Sequence, residues 1–381
     1  MKKILFVIPS LEVGGTVSSL SSIIQSFKGR YDISVFPLAY EGNLNVDFKD
    51  TLLPPKISTH AYIGNFTKVH GIKRILFVIV KILKRISKLL DIDLEKIIYK
   101  SVSSNFNDIF DVTVGFQEGA ATKFVSLIQA QTKIAWIHCD YTKYWGCGRE
   151  LLIYDKFNKI VCVSKYTADN FTSVYPALSK KTSFIHNLMN YDKIQTCSNR
   201  EIEDSRFSRD LFTILSIGRI NVVKRFDQIP SIARYLIDKG CKFRWYIIGP
   251  NFADDVYKSL LNSIASERVE EYVYYLGNKY NPYPYLLNSD LLVSLSSTEA
   301  CPMIFNEAKV LGLPVLTTDF GSAYEFINDG INGQIKPIED IPVSLFKLIT
   351  DKNIYNSILN GMRLSEFNSK QTYESLYQLF D

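Results

Sequence analysis

"MKKILFVIPSLEVGG", residues 1–15, decides how the chain begins to fold. Two lysines ahead of an apolar run give it the look of a secretion signal. The run from Ile4 to Ile8 stops at Pro9, however, and no small-x-small cleavage pattern follows. A short, unbroken apolar stretch fits a parallel strand covered on both faces. Gly14 and Gly15 then open a serine-rich helix over residues 16–27, and "DISVFPL" at 32–38 supplies a second strand. Strand, glycine turn, helix and strand in that order begin an α/β sheet rather than a leader peptide.

The alternation continues outward. "DVTVGF" (111–116), "KIAWIH" (133–138), "KIVCVS" (159–164) and "KTSFIHN" (181–187) are further strand-like runs separated by helical stretches. Together they predict a first doubly wound domain over residues 1–190. From 191 to 210 the sequence turns polar and charged, which reads as an interdomain linker. A second series then starts: "FTILSIG", a helix at 227–239, "FRWYIIG", a helix at 255–266, "VYYLG", "LLVSLS", another helix and "LPVLTTD". It predicts a second domain of similar size over 211–365. Residues 366–381 read as a helical tail with no place assigned. In open α/β sheets ligands bind at the carboxyl ends of the strands, so two such domains imply a cleft between them.

The chain has 381 residues, 46% of them hydrophobic, and a formal net charge of +5. That length exceeds one ordinary core and suits two. The charge is too weak to argue for nucleic acid. Six cysteines are scattered with no CxxC pair, so reduced cytosolic thiols are expected and no zinc site.

Chemistry concentrates in "STEACPMIFNEAKVLGLPV", residues 297–315. Pro302 and Gly312 bracket a helix of about ten residues. Glu299 falls in the strand-to-helix turn and Glu307 in the helix interior. Carboxylates accept hydrogen bonds in pairs and suit vicinal sugar hydroxyls, while free amides at a helix start suit phosphate.

The longer stretch "STEACPMIFNEAKVLGLPVLTTDFGSAYEFINDGINGQI" resembles the signature of the retaining family 4 glycosyltransferases. It carries Glu-x7-Glu-Ala, Gly312, Pro314-Val315, Thr318-Asp319, Glu325 and a turn from Asp329-Gly330 to Gly333. "SIGRINVVKRFD" is similar to that family's Gly-Arg-x4-Lys-Gly element through Gly218, Arg219 and Lys224. The resemblance is strong over 205–340 and weaker, though colinear, over 1–190. Two positions depart from the pattern: Ala300 and Cys301 stand where Gly and Phe are usual, and Arg225 replaces the glycine after the lysine.

The resemblance implies a GT-B fold, two doubly wound Rossmann-like domains facing a central cleft. The first domain would bind the acceptor and the second a nucleotide-diphosphate sugar. Glu299 would meet the donor sugar, the segment Cys301, Pro302, Met303 and Ile304 would surround its phosphate with its backbone amides, proline excepted, and Glu307 would hold the ribose. Arg219 and Lys224 would carry the charge of the leaving diphosphate in place of a metal, so no metal or other cofactor is expected. His138, in "WIHCDY", would lie near the donor sugar. The glycine loop would bring Gly15 to the pyrophosphate or Gly14 to the acceptor. Base contacts would come near Asn278 and Lys279, largely from backbone, and Glu118 would face the acceptor or simply start a helix.

His60, His70 and His186 read as structural, and "DID" at 91–93 as a chance likeness to a metal motif. The stretch 71–90 carries Lys73, Arg74, Lys81, Lys84, Arg85 and Lys88 and no acid. At helical spacing these fall within about a third of the wheel, opposite an apolar stripe. Such a helix reads as lying on an anionic membrane surface, or else as a core helix with a solvated face. The sequence therefore leads to a cytoplasmic glycosyltransferase, peripheral on the inner face of the membrane. It would transfer a sugar to a glycan or lipid-linked acceptor in surface polysaccharide assembly. Its rivals are a nucleotide-sugar epimerase of the same fold and a catalytically silent nucleotide-binding partner subunit.

Overall fold

The computed structural model describes residues 1–11, 14–39, 85, 94–144, 147–365 and 369–381. The stretch 71–90, apart from exposed Arg85, lies outside the described residues, and with it Lys81, Lys84 and Lys88. So do "DID", His60 and His70. The chain divides into two compact units, one of Met1–Leu188 with Thr372–Asp381 and one of Met189–Gln371.

The first unit is a six-stranded parallel sheet in the order β2-β1-β3-β4-β5-β6. Its strands are β1 (Lys3–Ser10), β2 (Asp32–Ala39), β3 (Val112–Gly115), β4 (Thr132–Ile137), β5 (Lys159–Cys162) and β6 (Thr182–Phe184). The opening apolar run is β1, with Ile4 to Val7 wholly buried. Side chains alternate across a strand, so a run without polar breaks must be covered on both faces. Leu5 and Val7 pack with Phe124, Tyr154 and Phe171 on one face. On the other, the Phe6 ring meets Phe116 and Phe380 edge-on at 5.5 and 5.8 Å.

Phe380 belongs to the tail, a helix over Lys370–Phe380 that completes the first unit rather than the second. Leu376, Leu379 and Phe380 are buried, and Tyr373 stacks on Phe27 at 4.7 Å. Lys2 Nζ donates to the carbonyls of Phe380 and Asp381 at 2.8 and 2.7 Å, a cation at a helix C-terminus. Tyr31 Oη donates to Asp381 Oδ1 at 2.8 Å.

The second unit repeats the architecture in the order β12-β11-β10-β7-β8-β9, again all parallel. Here β7 is Phe212–Ile217, β8 Phe243–Ile248, β9 Val273–Gly277, β10 Leu291–Ser294, β11 Val315–Thr318 and β12 Gly333–Lys336. Ile214, Trp245, Val293 and Leu316 face one helical layer, through Ile229, Leu236 and Leu260. Leu215, Tyr246, Leu292 and Val315 face the other, through Phe305, Ala308 and Met362.

The stretch expected to be a linker is corrected by the structure. Its first part is a helix, Tyr191–Ser198, capped by Asn190 Oδ1 accepting from the Lys193 amide at 2.9 Å. Ile194 packs with Met189, Met303 and Val310 inside the second unit. Only one apolar side chain in that helix is fully buried, so its sequence reads as polar.

Candidate active site

In a doubly wound sheet the strand order reverses at one place, and loops leaving the two strands there diverge to opposite faces and open a crevice. In the second unit that place lies between β7 and β10, which pair through Leu291 with Ile214 and Leu292 with Leu215. Gly218, Arg219 and Lys224 follow β7; Ser296 and Glu299 follow β10.

The β7 loop is fixed by backbone. Gly218 N donates to Ile248 O at 2.9 Å and Ile220 N to Pro250 O at 2.9 Å. Asn221 caps the short 3-10 turn Val222–Lys224, its Oδ1 accepting from the Lys224 amide at 3.1 Å. Arg225 ends that turn in the left-handed region at φ 51°, the position where the resembling family has glycine. The lysine then folds back over Gly218, where an added Cβ would come within 3.0 Å of Lys224 Cε. Glycine at 218 leaves the lysine a floor to lie on.

Lys224 Nζ forms an ion pair with Glu299 Oε1, both side chains 19% exposed. Ser296 Oγ donates to the same oxygen at 2.8 Å. Glu299 Oε2 accepts no hydrogen bond among the described residues. The turn carrying Glu299 is tied down on both sides: Ser322 Oγ donates to Glu299 O at 2.8 Å, and Ser297 N to Val223 O at 2.8 Å. Sequence reasoning missed Ser296 and Ser322, since a lone serine in a serine-rich loop carries no signal.

Arg219 is held differently. Its guanidinium lies 5.1 Å from the centroid of the half-exposed Phe252 ring and makes no ion pair among the described residues. An aromatic face orients a guanidinium without neutralising it. Within this loop Lys224 is therefore matched by a carboxylate, whereas Arg219 is held by an aromatic face.

The helix after Glu299 runs Met303–Val310, with Pro302 at its N-cap and Gly312 at φ 68° beyond its end. It is shorter than expected, because Pro302 stays extended at ψ 98°. No side chain caps its start and its first turn holds no acid, so an anion could meet its amides. Glu307 lies in the helix and accepts from Tyr283 Oη at 3.5 Å. Burial pushes its carboxyl up from 4.5 to about 7, with the Tyr283 hydrogen bond opposing.

Asn278 and Lys279 follow β9. Asn278 is exposed, but the Lys279 ammonium is held by Asp204 Oδ2 at 2.6 Å, which leaves the backbone of this loop to meet a ligand. Asp204 also accepts from Arg206 Nε at 2.8 Å, and Arg206 Nη1 donates to Tyr275 O at 3.1 Å. Those partners, Arg206 first, hold the Asp204 carboxyl well below its ordinary range.

In the first unit, Gly14 precedes the helix Gly15–Ser26, which has neither a side-chain cap nor an acid in its first turn. Gly14 is extended at φ 173°, a conformation open to any residue. The Glu118 carboxylate accepts from the His138 amide at 2.8 Å and so braces the end of β4. Burial raises its pKa. The His138 ring meets Phe116 at 4.8 Å, and burial takes its pKa down to about 3. Its buried Nε2 has no hydrogen-bond partner among the described residues. The ring is thus neutral at physiological pH and suited to hydrogen bonding rather than charge.

Among the described residues none of the six cysteines is joined in a disulfide. Among the described residues no three His, Cys, Asp or Glu side chains gather as a metal site would require. Nor is any described helix long and apolar enough to cross a membrane.

Two parallel-sheet Rossmann-like units, one with cations and carboxylates at its switch point, define a GT-B architecture. Residues 198–351 match the family described as "Glycosyl transferases group 1". An uncharacterized glycosyltransferase of Methanocaldococcus jannaschii is 30% identical over 150 residues, 39% of this chain and 36% of that protein. N-acetyl-α-D-glucosaminyl L-malate synthase of Bacillus anthracis is 25% identical over 244 residues, 58% of this chain and 62% of that protein. The matches thus span less than two thirds of either relative. Among solved structures, HepE of Anabaena in complex with UDP and glucose superposes with a TM-score of 0.74 at 15% identity, covering 100% of this chain and 99% of HepE. At that identity the likeness speaks for the fold.

Proposed function

We propose that the protein is a retaining glycosyltransferase of family 4 that takes a sugar from a nucleotide-diphosphate donor. The observation that carries this reading is the meeting of Lys224 and Glu299 from neighbouring strand ends at the switch point, beside an Arg219 held by an aromatic face. A sugar diphosphate needs both kinds of group, cations for the phosphates and carboxylates for the hydroxyls. Arg219 and Lys224 would take up the charge that grows on the leaving diphosphate, and protein cations in this place could serve without a metal. The open helix start at Met303 would receive phosphate oxygens, and Glu307 the ribose hydroxyls. In the first unit His138 would offer Nε2 to a sugar hydroxyl. The acceptor would be a glycan or a lipid-linked one in surface polysaccharide synthesis. An O-antigen biosynthesis glycosyltransferase of Escherichia coli, 25% identical over 222 residues, supports that class.

Thermal unfolding with UDP, GDP, ADP, CMP and NAD tests the reading. At about one hundred times its dissociation constant a ligand adds about 2.7 kcal/mol, several degrees in the midpoint of a domain. A rise with one nucleoside diphosphate identifies the base. No rise with any of them, or a rise with NAD alone, refutes the proposal.

Glu307 gives a pH dependence with a definite sign. Its folded pKa of about 7 exceeds the ordinary 4.5, so its contribution to stability is largest at low pH and declines as pH climbs through that window. Ribose hydroxyls donate to the ionised form and pull its pKa back down. Nucleotide affinity should therefore increase by up to about tenfold between pH 6 and 8. Calorimetric titration checks this, with Glu307→Gln expected to flatten the profile.

The basic stretch 71–90 supports a proposed peripheral contact with anionic membrane at the cytoplasmic face. Co-sedimentation with phosphatidylserine vesicles should be lost when Lys81, Lys84, Arg85 and Lys88 all become Gln. Unchanged binding would return the stretch to a core role.

A further inference from the structure

The donor-site reading assigns Lys224 to phosphate and Glu299 to sugar, yet the structure spends each of them on the other. Both side chains lie about four-fifths buried, and each charge satisfies its neighbour. A diphosphate that claims Lys224 must therefore break the pair and leave the Glu299 carboxylate facing an anion, with Ser296 Oγ as its remaining donor. A part-buried carboxylate stripped of its cation is unfavourable unless new donors arrive. The sugar of an intact donor supplies such donors, because its hydroxyls can reach Oε2, which accepts nothing among the described residues. A free nucleoside diphosphate supplies none. The turn carrying Glu299 cannot shift away from this conflict cheaply as a whole, since the Glu299 carbonyl is pinned by Ser322 and the nearby Ser297 amide by Val223.

We propose that the Lys224–Glu299 pair is an exchange lock that makes the site favour a sugar nucleotide over the nucleoside diphosphate left after transfer. Glu299 is then a specificity residue with two opposite effects, raising affinity for the substrate and lowering affinity for the product. When the sugar leaves, Glu299 loses its hydroxyl partners, recaptures Lys224 and loosens the diphosphate. This inference rests on the donor-site reading and adds a direction to it that sugar contact alone does not give.

The test measures dissociation constants of UDP and UDP-glucose, or of the base chosen by the unfolding screen, in wild type and in Glu299→Gln, Lys224→Gln and the double variant. Melting curves confirm that each is folded. Glu299→Gln should bind the free diphosphate roughly tenfold more tightly and the sugar nucleotide more weakly, the scale of one close charge pair. In the Lys224→Gln background the same change should no longer tighten diphosphate binding. Unchanged or weaker diphosphate binding by Glu299→Gln overturns the lock while leaving the donor site standing. Tightening that persists without Lys224 also overturns it, since the effect would then be plain repulsion. If wild type binds no nucleotide, the donor-site reading fails, and the lock with it.

Discussion

Replacing Lys224 with alanine should lower turnover at saturating donor by about 100- to 1,000-fold, the usual cost of removing a preorganised group from a developing charge. The ammonium follows β7 at the switch point, on the floor made by Gly218, while Arg219 stands in the same loop. A ground-state diphosphate can still meet Arg219 and the helix start, so KM should move far less than kcat. Charge on the departing phosphate grows only as the sugar bond breaks, and that growth is what the second cation meets. The variant also leaves Glu299 without its partner, so a loss of about 1–3 kcal/mol in stability accompanies it. Lys224→Arg should restore the stability better than the rate, because a fork cannot occupy the space of a point charge. Steady-state kinetics beside melting curves separate the two effects. Near-normal turnover in the alanine variant would remove Lys224 from the chemistry.

The other large effect lies at Gly249, outside every motif. It follows β8 with φ 150°, and a Cβ there would stand 1.8 Å from Gly218 O. Two backbones cross at this point with no room for a side chain, and Gly249 N is meanwhile bonded to Gly277 O at 3.0 Å. Gly249→Ala must push the β7 loop outward or break the β9 contact. Backbone strain and overpacking together come to about 4 kcal/mol, enough to lower the melting temperature by about 10 °C. The displaced loop carries Gly218, Arg219 and Lys224, so nucleoside diphosphate binding should fall together with stability. A variant that melts normally would show that the two loops part to admit a methyl group at little cost. One that melts low but binds normally would show that the loop recovers its place.

The strands were readable because parallel sheets bury both faces. Ile4 to Ile8, Ile160 to Cys162 and Trp245 to Ile248 are unbroken apolar runs, and all of them lie in strands. Glu299 in a turn and Glu307 within a helix followed from Pro302 and Gly312 as punctuation. The contacts among site residues were not readable in the same way. Lys224 and Glu299 are 75 positions apart, and only the adjacency of β7 and β10 brings them together. Phe252 beneath Arg219 and Asp204 on Lys279 are likewise products of folding, with no local signal. The helix Tyr191–Ser198 was hidden because one buried isoleucine does little to mark a period. The home of the tail could not be read either, since an amphipathic helix shows that it needs a surface without showing which one.

That tail has a consequence for how the protein comes into being. Phe380 and Leu379 close the first unit over Phe6, yet they leave the ribosome only after residues 189–371 have been made. At roughly 5–20 residues per second, the opening sheet waits on the order of ten seconds or more for its last hydrophobic cover. The unit that starts first is thus finished last, and a chain interrupted during synthesis leaves Phe6 and Phe27 without the rings that cover them. Chaperones and proteases act on exposed apolar surface of this kind, so the first unit is open to them for as long as the closing helix is undocked.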